Sequence, residues 1–111
     1  FLPEFKKRKS GHIINICSVL SKKVRKKAVS YSLSKQALYG YTKILRNELR
    51  NYDVKVTAIL PGSTNTASWD GLDAPVEAFV QPEDVANGVL MAIQSNGLVE
   101  EFEIKPINPK H

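Results

Sequence analysis

The hydrophobic and polar positions of the chain predict short buried strands that alternate with amphipathic helices. Residues 12–18 (HIINICS) are an apolar run rich in β-branched side chains, which is typical of a buried parallel strand. Residues 54–60 (VKVTAIL) repeat this pattern and end at a Pro-Gly pair. In the last segment, Phe102 and Ile104 alternate with charged residues, which predicts an edge strand with one solvated face.

Two helices are predicted between these strands. From about Ser30 to Asn51, apolar residues recur at spacings of three and four, namely Leu38, Tyr41, Leu45 and Leu49. A second helix is predicted from Gln81 to Ser95, because Pro82 suits a first helical turn and Gly97 suits a helix end. Residues 63–80 then form a connection long enough to be a binding loop.

This order of elements predicts a parallel sheet with right-handed crossovers and helices on both faces. Three strands do not complete such a sheet. The predicted fold class is therefore α/β, the C-terminal half of a Rossmann-like doubly wound parallel sheet in three α/β/α layers. The 111 residues suit one small domain at most. Phe1 is not an initiator methionine and residues 1–11 resemble the end of a helix, so we interpret the sequence as a fragment, a processed product or the ordered part of a longer chain.

Composition and charge narrow the possible classes of protein. The chain is 42% hydrophobic and 24% charged, as in ordinary globular proteins, and contains no apolar run of the ~20 residues that span a membrane. The single cysteine, Cys17, allows no internal disulfide, and we expect a cytoplasmic protein in which this residue is packed. The net charge of +5 is concentrated in residues 6–9 and 22–27. These runs suit a solvated helix end and loop or an anionic partner, but no nucleic-acid-binding motif accompanies them.

Candidate chemistry gathers where the strands end, since open α/β sheets bind ligands beyond the carboxyl ends of their strands. Ser18 ends the first strand, Pro61 and Gly62 end the second, and Tyr31 and Lys35 stand at the start of the long helix. The positions i and i+4 place Tyr31 and Lys35 on one helix face. Taken singly, these features are also those of a helix surface, a strand end and a turn. No spacing of His, Cys or carboxylate residues suggests a metal site.

Taken together and in this order, the motifs make the chain similar to the C-terminal half of the short-chain dehydrogenase/reductase family. Residues 11–18 (GHIINICS) resemble the family's G-x-I-x-N-I-S-S strand. Residues 31–41 (YSLSKQALYGY) follow its Y-x-x-S-K-x-A-x-x-G-(F/Y) helix and begin thirteen residues after Ser18. Residues 54–62 (VKVTAILPG) continue the similarity, and Thr66 follows as in the family's P-G-x-x-x-T.

The resemblance implies an NAD(P)-dependent oxidoreductase that transfers hydride between a nicotinamide and a carbonyl or alcohol. Tyr31 would be the general acid in reduction and the general base in oxidation, because a cation one turn away favours the tyrosinate. Lys35 would supply that cation and bind the nicotinamide ribose, and Ser18 would hydrogen-bond the substrate oxygen. The catalytic residues implied are therefore Ser18, Tyr31 and Lys35. The cofactor-binding residues implied are Tyr31, Lys35, Pro61, Gly62, Ser63 and Thr66.

The resemblance is incomplete on the nucleotide side. The family's glycine-rich phosphate turn, T-G-x-x-x-G-x-G, has no counterpart among the six glycines of the chain. We therefore expect residues 1–111 to be the C-terminal part of one domain whose nucleotide-binding half is not in this chain. The residues that select NADP or NAD belong to that half, and NADP is slightly favoured.

Several partners and functions remain open. The family resemblance implies a small-molecule substrate, with 3-oxoacyl-carrier-protein reduction as one candidate, and a homodimer or homotetramer paired through the helix that carries Gly40. We expect neither membrane insertion nor nucleic-acid binding. The alternative to an enzyme is a non-catalytic interaction or scaffold protein on the same fold. A basic nucleic-acid binder is a third and weaker hypothesis.

Overall fold

The structure is a computed structural model that describes part of the chain. The described residues are 7, 10–18, 29–65, 71 and 73–108, with the backbone alone described at 29–32. In this part of the chain the elements are β1 (His12–Ile16), α1 (Val29–Leu49), a 3-10 turn (Arg50–Tyr52), β2 (Lys55–Pro61), a second 3-10 turn (Val76–Ala78), α2 (Pro82–Gln94) and β3 (Glu101–Ile104). All three predicted strands and both predicted helices are confirmed, with ends that shift by one or two residues. The predicted helix before Gly11 lies almost wholly outside the described residues.

The three strands form one parallel sheet in the order β1-β2-β3. The register aligns Asn15, Ala58 and Glu101 in a single row across the sheet. All strands run in the same direction, so their carboxyl ends meet at one edge. The central strand β2 is the most buried, and the residues between its two ends are covered on both faces.

Helix α1 packs on one face of the sheet and runs antiparallel to the strands. Its last turns, at Leu45 and Leu49, pack against Val54 and Val56 at the start of β2. Its earlier residues Leu38 and Tyr39 pack against a second cluster formed by Cys17, Ala58 and Leu60 near the strand ends. The amino end of α1 therefore points to the carboxyl edge of the sheet, as the sequence pattern predicts.

The same face explains why one charged residue of β3 is only partly exposed. Glu101 lies in the row of Ala58, beneath α1, and its carboxylate accepts a hydrogen bond from the Tyr39 hydroxyl. The prediction that the charged side of β3 is a wet face is therefore wrong at Glu101, because α1 extends over it. Glu103, farther along the strand, is exposed and lies 3.8 Å from the Lys105 ammonium.

Helix α2 packs on the opposite face. A Cβ atom placed on Gly88 would lie 2.4 Å from Cε1 of Phe102, and Phe102 pairs with Ile59, which points away from α1. The connection from β1 to β2 runs through α1, and the connection from β2 to β3 runs through α2. Both step in the same direction across a parallel sheet, but they pass over opposite faces. The two crossovers therefore have opposite handedness. The prediction of two right-handed crossovers is therefore wrong for one of them. Residues 62–81 give the chain enough length to reach the second face before α2 begins.

The result is the three-layer α/β/α arrangement predicted from the sequence. No helix among the described residues is long and apolar enough to cross a membrane.

Candidate active site

Lys35 reaches the carboxyl end of the first strand. Its Nζ donates a hydrogen bond to the Ile16 carbonyl oxygen at 3.2 Å, and Ile16 is the last residue of β1. A lysine on the first turns of α1 can make this contact because the helix runs antiparallel to the strands. The ammonium and the end of β1 are therefore brought together, as the sequence predicts.

Ser18 lies just beyond β1, next to Cys17, and is 7% exposed. The position after a parallel strand is the one from which side chains reach ligands at the sheet edge. Burial raises the pKa of the neighbouring Cys17 thiol, an effect that a hydrogen bond with Thr42 and the charge of Lys35 partly oppose. The interpretation of Cys17 as a packed residue is confirmed by its exposure of 2%.

Tyr31 lies in α1 one turn before Lys35, on the side toward the carboxyl edge of the sheet. Its backbone is helical, whereas its side chain lies outside the described residues. The rise of about 1.5 Å per residue places its Cα about 6 Å farther along the helix axis than that of Lys35. The meeting of its phenol with Ser18 and Lys35 stays a prediction.

Pro61, Gly62 and Ser63 leave β2 at the same edge, close to the end of β3. The Gly62 N–H donates to the Ile104 carbonyl at 2.7 Å, which extends the β2–β3 pairing beyond the strand. A Cβ atom on Gly62 would lie 3.1 Å from Cδ of Pro106, so a glycine allows the two chain segments to approach. The Ser63 carbonyl accepts a hydrogen bond from the Val80 N–H at 2.8 Å. Thr66, the remaining predicted residue, lies outside the described residues.

The loop after β2 is closed at its base by contacts that the sequence did not predict. Thr64 and Val80 form an isolated parallel bridge, and the Asn65 N–H donates to the Val80 carbonyl at 2.8 Å. The Gln81 side chain joins them, since its Oε1 accepts a hydrogen bond from Asn65 Nδ2 at 3.1 Å. A Gln-Pro pair at a helix start is the only sequence signal of this arrangement, and it marks the helix rather than the contact.

Polar side chains from α1 anchor the helix to the sheet, and these were also missed. Asn15 Nδ2 donates to Thr42 Oγ1 at 2.9 Å. The Arg46 guanidinium is 7% exposed and donates to the carbonyls of Val56 and Glu100 at 3.0 and 2.6 Å. These bonds fix the position of α1 along the strand direction, and therefore the position of its first turns.

The opposite end of the sheet holds a second polar cluster. His12 Nε2 lies 2.7 Å from Thr57 Oγ1, which in turn donates to the Val99 carbonyl at 2.7 Å. Because the Thr57 hydroxyl donates its proton to the Val99 carbonyl, it can only accept a hydrogen bond from His12. The Nε2 atom of His12 therefore carries the imidazole proton. Burial and the charge of Lys55 lower the pKa of His12. The cluster lies at the amino ends of the strands, so we interpret His12 as a structural residue.

No group of His, Cys, Asp or Glu residues in the described part of the chain could hold a metal ion. The arrangement at the carboxyl edge instead offers a cation, a buried hydroxyl and a strand end with a closed loop base. Such groups can orient a polar ligand and stabilise negative charge on an oxygen atom.

The chain is similar in sequence to known proteins. Residues 1–76 match the family model described as short chain dehydrogenase. An uncharacterised oxidoreductase of Staphylococcus saprophyticus is 36% identical over 108 residues, which cover 96% of this chain and 46% of that protein. The chain thus spans about half the length of the curated relatives that it matches.

Solved structures show the same architecture. A short chain dehydrogenase from Burkholderia cenocepacia in complex with NADP is 28% identical, with a TM-score of 0.77 over 93% of this chain and 42% of that one. A betaketoacyl-ACP reductase from Bacteroides thetaiotaomicron is 25% identical, with a TM-score of 0.75 over 96% of this chain and 46% of that one. The fold is therefore the C-terminal half of a Rossmann-like doubly wound sheet.

Proposed function

Since the chain belongs to the short-chain dehydrogenase family, we propose that residues 1–111 are the C-terminal part of one NAD(P)-dependent oxidoreductase domain. The observation that carries this proposal is the Lys35 ammonium bonded to the end of β1, next to the buried Ser18. The nucleotide-binding half would belong to the rest of the domain, and the chain alone would be inactive. The reaction would be hydride transfer between the cofactor and a carbonyl or alcohol substrate.

The proposed catalytic residues are Ser18, Tyr31 and Lys35. Tyr31 would give a proton to the substrate oxygen in reduction and take it back in oxidation. Ser18 would donate a hydrogen bond to the same oxygen as negative charge develops on it. Lys35 would stabilise the tyrosinate by its charge and bind a ribose hydroxyl, and its bond to the Ile16 carbonyl holds the ammonium at the end of β1.

A nicotinamide cofactor supplies the hydride when it is bound. The residues that would hold it are Lys35 and Tyr31 on the helix and the segment that follows β2. Within that segment, the Gly62 N–H and the Ser63 carbonyl are already bonded to neighbouring backbone. We therefore assign Gly62 a steric role in the approach to β3, and assign the polar contacts to Pro61, the Ser63 side chain and Thr66. NADP is favoured over NAD, since the similar Burkholderia enzyme is complexed with NADP.

The proposed substrate class follows from one solved relative. Similarity to a betaketoacyl-ACP reductase supports reduction of a 3-oxoacyl thioester as the first activity to test. A cytoplasmic enzyme suits this chemistry and the buried reduced thiol of Cys17.

One surface supports subunit pairing. Leu33, Tyr41 and Ile44 form a single stripe on α1 and are 58%, 53% and 67% exposed. Apolar side chains of this size at one helix face suit a homodimer or homotetramer paired through α1. The same stripe is equally compatible with the alternative function, a non-catalytic scaffold, which would keep the stripe but need neither Tyr31 nor Lys35.

Oxidation of NADPH by the intact protein, followed by absorbance, tests the proposal with a panel of a 3-oxoacyl thioester, a small diketone and a sugar ketone. We expect turnover with at least one of them. Tyr31→Phe should lower kcat by about 10²- to 10⁴-fold, because the proton transfer is lost, and leave NADPH affinity within a few-fold, because Lys35 and the segment after β2 would still hold the cofactor. Tyr52→Phe is the matched control, since Tyr52 lies in the 3-10 turn beyond the far end of the same helix. Full turnover by Tyr31→Phe would contradict the assigned role, and a wild-type protein that binds NADPH but reduces no carbonyl would favour the scaffold.

A further inference from the structure

We propose that Gln81 is a positioning residue that fixes the segment after β2, and through it the nicotinamide end of the cofactor. This inference rests on the proposed function, which assigns that segment to the cofactor. Gln81 has no place in the motifs that relate the chain to its family. It is inferred from the contacts of its side chain with both arms of the loop.

The Gln81 amide bonds to three separate points of the loop. Its Nε2 donates to the Val76 carbonyl at 3.1 Å and to the Phe79 carbonyl at 3.0 Å. Its Oε1 accepts from Asn65 Nδ2 at 3.1 Å. One side chain therefore ties the arm that leaves β2 to the arm that enters α2.

The chemistry of the amide fixes its orientation. Two carbonyl oxygens face one end of the side chain, and only the NH₂ group can donate to both. The other end faces an NH₂ group of Asn65 and must be the oxygen. A carboxylate at position 81 would keep the acceptor for Asn65, but it would face the Val76 and Phe79 carbonyls with lone pairs and no donor.

The backbone around this amide carries the constraint to the predicted site. Val80 is 4% exposed, and its N–H and carbonyl bond to the Ser63 carbonyl and the Asn65 N–H, each at 2.8 Å. Gln81 thus holds Phe79 and Val80 in place, and Val80 holds Ser63. A displaced Ser63 would shift the residues proposed to contact the nicotinamide, since Gly62 remains bonded to β3.

The test uses the intact protein and the near-isosteric variant Gln81→Glu. Because the cofactor contacts would be misplaced, we expect the KM and Kd for NADPH to rise by about 10- to 100-fold, with a smaller change in kcat. A merely structural loss of folded protein would lower the apparent kcat and leave the KM unchanged. Gln94→Glu is the matched control, since Gln94 is an exposed glutamine in the last turn of α2, the helix that Gln81 precedes.

Asn65→Ala supplies an independent arm of the experiment. It removes the contact from the other side, so it should raise the KM in the same direction. In the double variant Asn65→Ala/Gln81→Ala, the rise in KM, taken as a free energy, should be less than the sum of the rises in the single variants Asn65→Ala and Gln81→Ala. Each single change already breaks the hydrogen bond that the two side chains share. Additive effects, or an unchanged KM in Gln81→Glu, would overturn the inference.

Amide hydrogen exchange separates this inference from the proposed function. If the wild-type protein neither binds NADPH nor reduces a carbonyl, the proposed function fails. The role of Gln81 is then judged by exchange at the Asn65 and Val80 amides. Faster exchange in Gln81→Glu than in Gln94→Glu supports a positioning role, and equal exchange overturns it.

Discussion

Two glycines lie within helices of this fold, and the structure predicts opposite effects for the same substitution at each. A Cβ atom at Gly88 in α2 would lie 2.4, 2.6 and 2.8 Å from three ring carbons of Phe102. A Cβ atom at Gly40 in α1 would have nothing within 4 Å outside its own helix. Alanine should therefore be accommodated at one position and excluded at the other.

The stability of the two alanine variants depends on helix propensity, which favours alanine, and on steric overlap, which opposes it at Gly88. Alanine is favoured over glycine in a helix interior by about 1 kcal/mol, and this gain applies equally to both variants. At Gly88 the Phe102 ring must move by about 1 Å to restore a carbon–carbon contact of ~3.5 Å, and overpacking of this kind costs about 1–3 kcal/mol. The propensity term cancels in the comparison, so Gly88→Ala should be less stable than Gly40→Ala by about 1–3 kcal/mol.

Urea unfolding of the intact protein measures this difference. With a slope of about 2 kcal/mol per M, a difference of about 2 kcal/mol separates the two midpoints by about 1 M. The double variant Gly88→Ala/Phe102→Ala removes the ring, so it should be less destabilised than the sum of its two single changes. Gly40 lies near the exposed stripe of α1, so unfolding is repeated at several protein concentrations to separate folding from subunit pairing. If Gly88→Ala proved as stable as Gly40→Ala, the packing of α2 on Phe102 would be wrong.

Three further predictions concern two polar residues of the fold and the proposed division of the domain. Arg46→Leu should lower the free energy of unfolding, measured in urea, by about 2–3 kcal/mol, since it removes buried hydrogen bonds to the carbonyls of Val56 and Glu100. The control Arg50→Leu, at an exposed position just after α1, should change it by less than about 0.5 kcal/mol. The pKa of His12 is lowered in the folded state, so its contribution to the free energy of unfolding should be full above the unfolded pKa near 6.5 and fall as the pH drops toward the folded pKa. His12→Gln should abolish that part of the pH dependence of stability. An unchanged profile would exclude His12 as its source. Residues 1–111 alone should show no micromolar binding of NADPH by calorimetry once circular dichroism has established that they fold, because no glycine-rich phosphate turn is present; micromolar affinity would contradict the proposed division of the domain.

The elements of this fold are predictable because each carries a local signal. Leu38, Leu45 and Leu49 repeat at helical spacing and lie on the face of α1 that packs against the sheet. Tyr41, which the pattern placed with them, is 53% exposed, so the prediction is wrong at that residue. The run from Val54 to Leu60 is apolar because β2 is covered on both faces. The location of the candidate site follows from the same pattern, since strand ends and the amino end of the next helix meet in any βαβ unit.

The remaining features depend on contacts between distant residues, which leave no local signal. Glu101 reads as a solvated strand residue until α1 is placed above it and Tyr39 donates to its carboxylate. Asn65 and Gln81 are sixteen residues apart, and either could equally be a surface amide. The hand of the second connection is likewise decided by which face α2 covers, and the packing of Gly88 on Phe102 decides that face.

Helix α1 links the stability of the fold to the chemistry of the site. Its apolar contacts with β2 would tolerate a small displacement along the strands, because dispersion and burial are not directional. Its hydrogen bonds would not tolerate it. Arg46 donates to the carbonyls of Val56 in β2 and Glu100 just before β3, Thr42 accepts from Asn15, and Lys35 donates to Ile16. A slide by one residue would move the helix by about 1.5 Å and turn its side chains by about 100°, which would break all of these bonds. These polar contacts therefore fix the position of the first turn of α1, which contains the backbone of Tyr31. If Tyr31 is the proposed catalytic residue, the buried Arg46 four turns away contributes to its position through the backbone of α1.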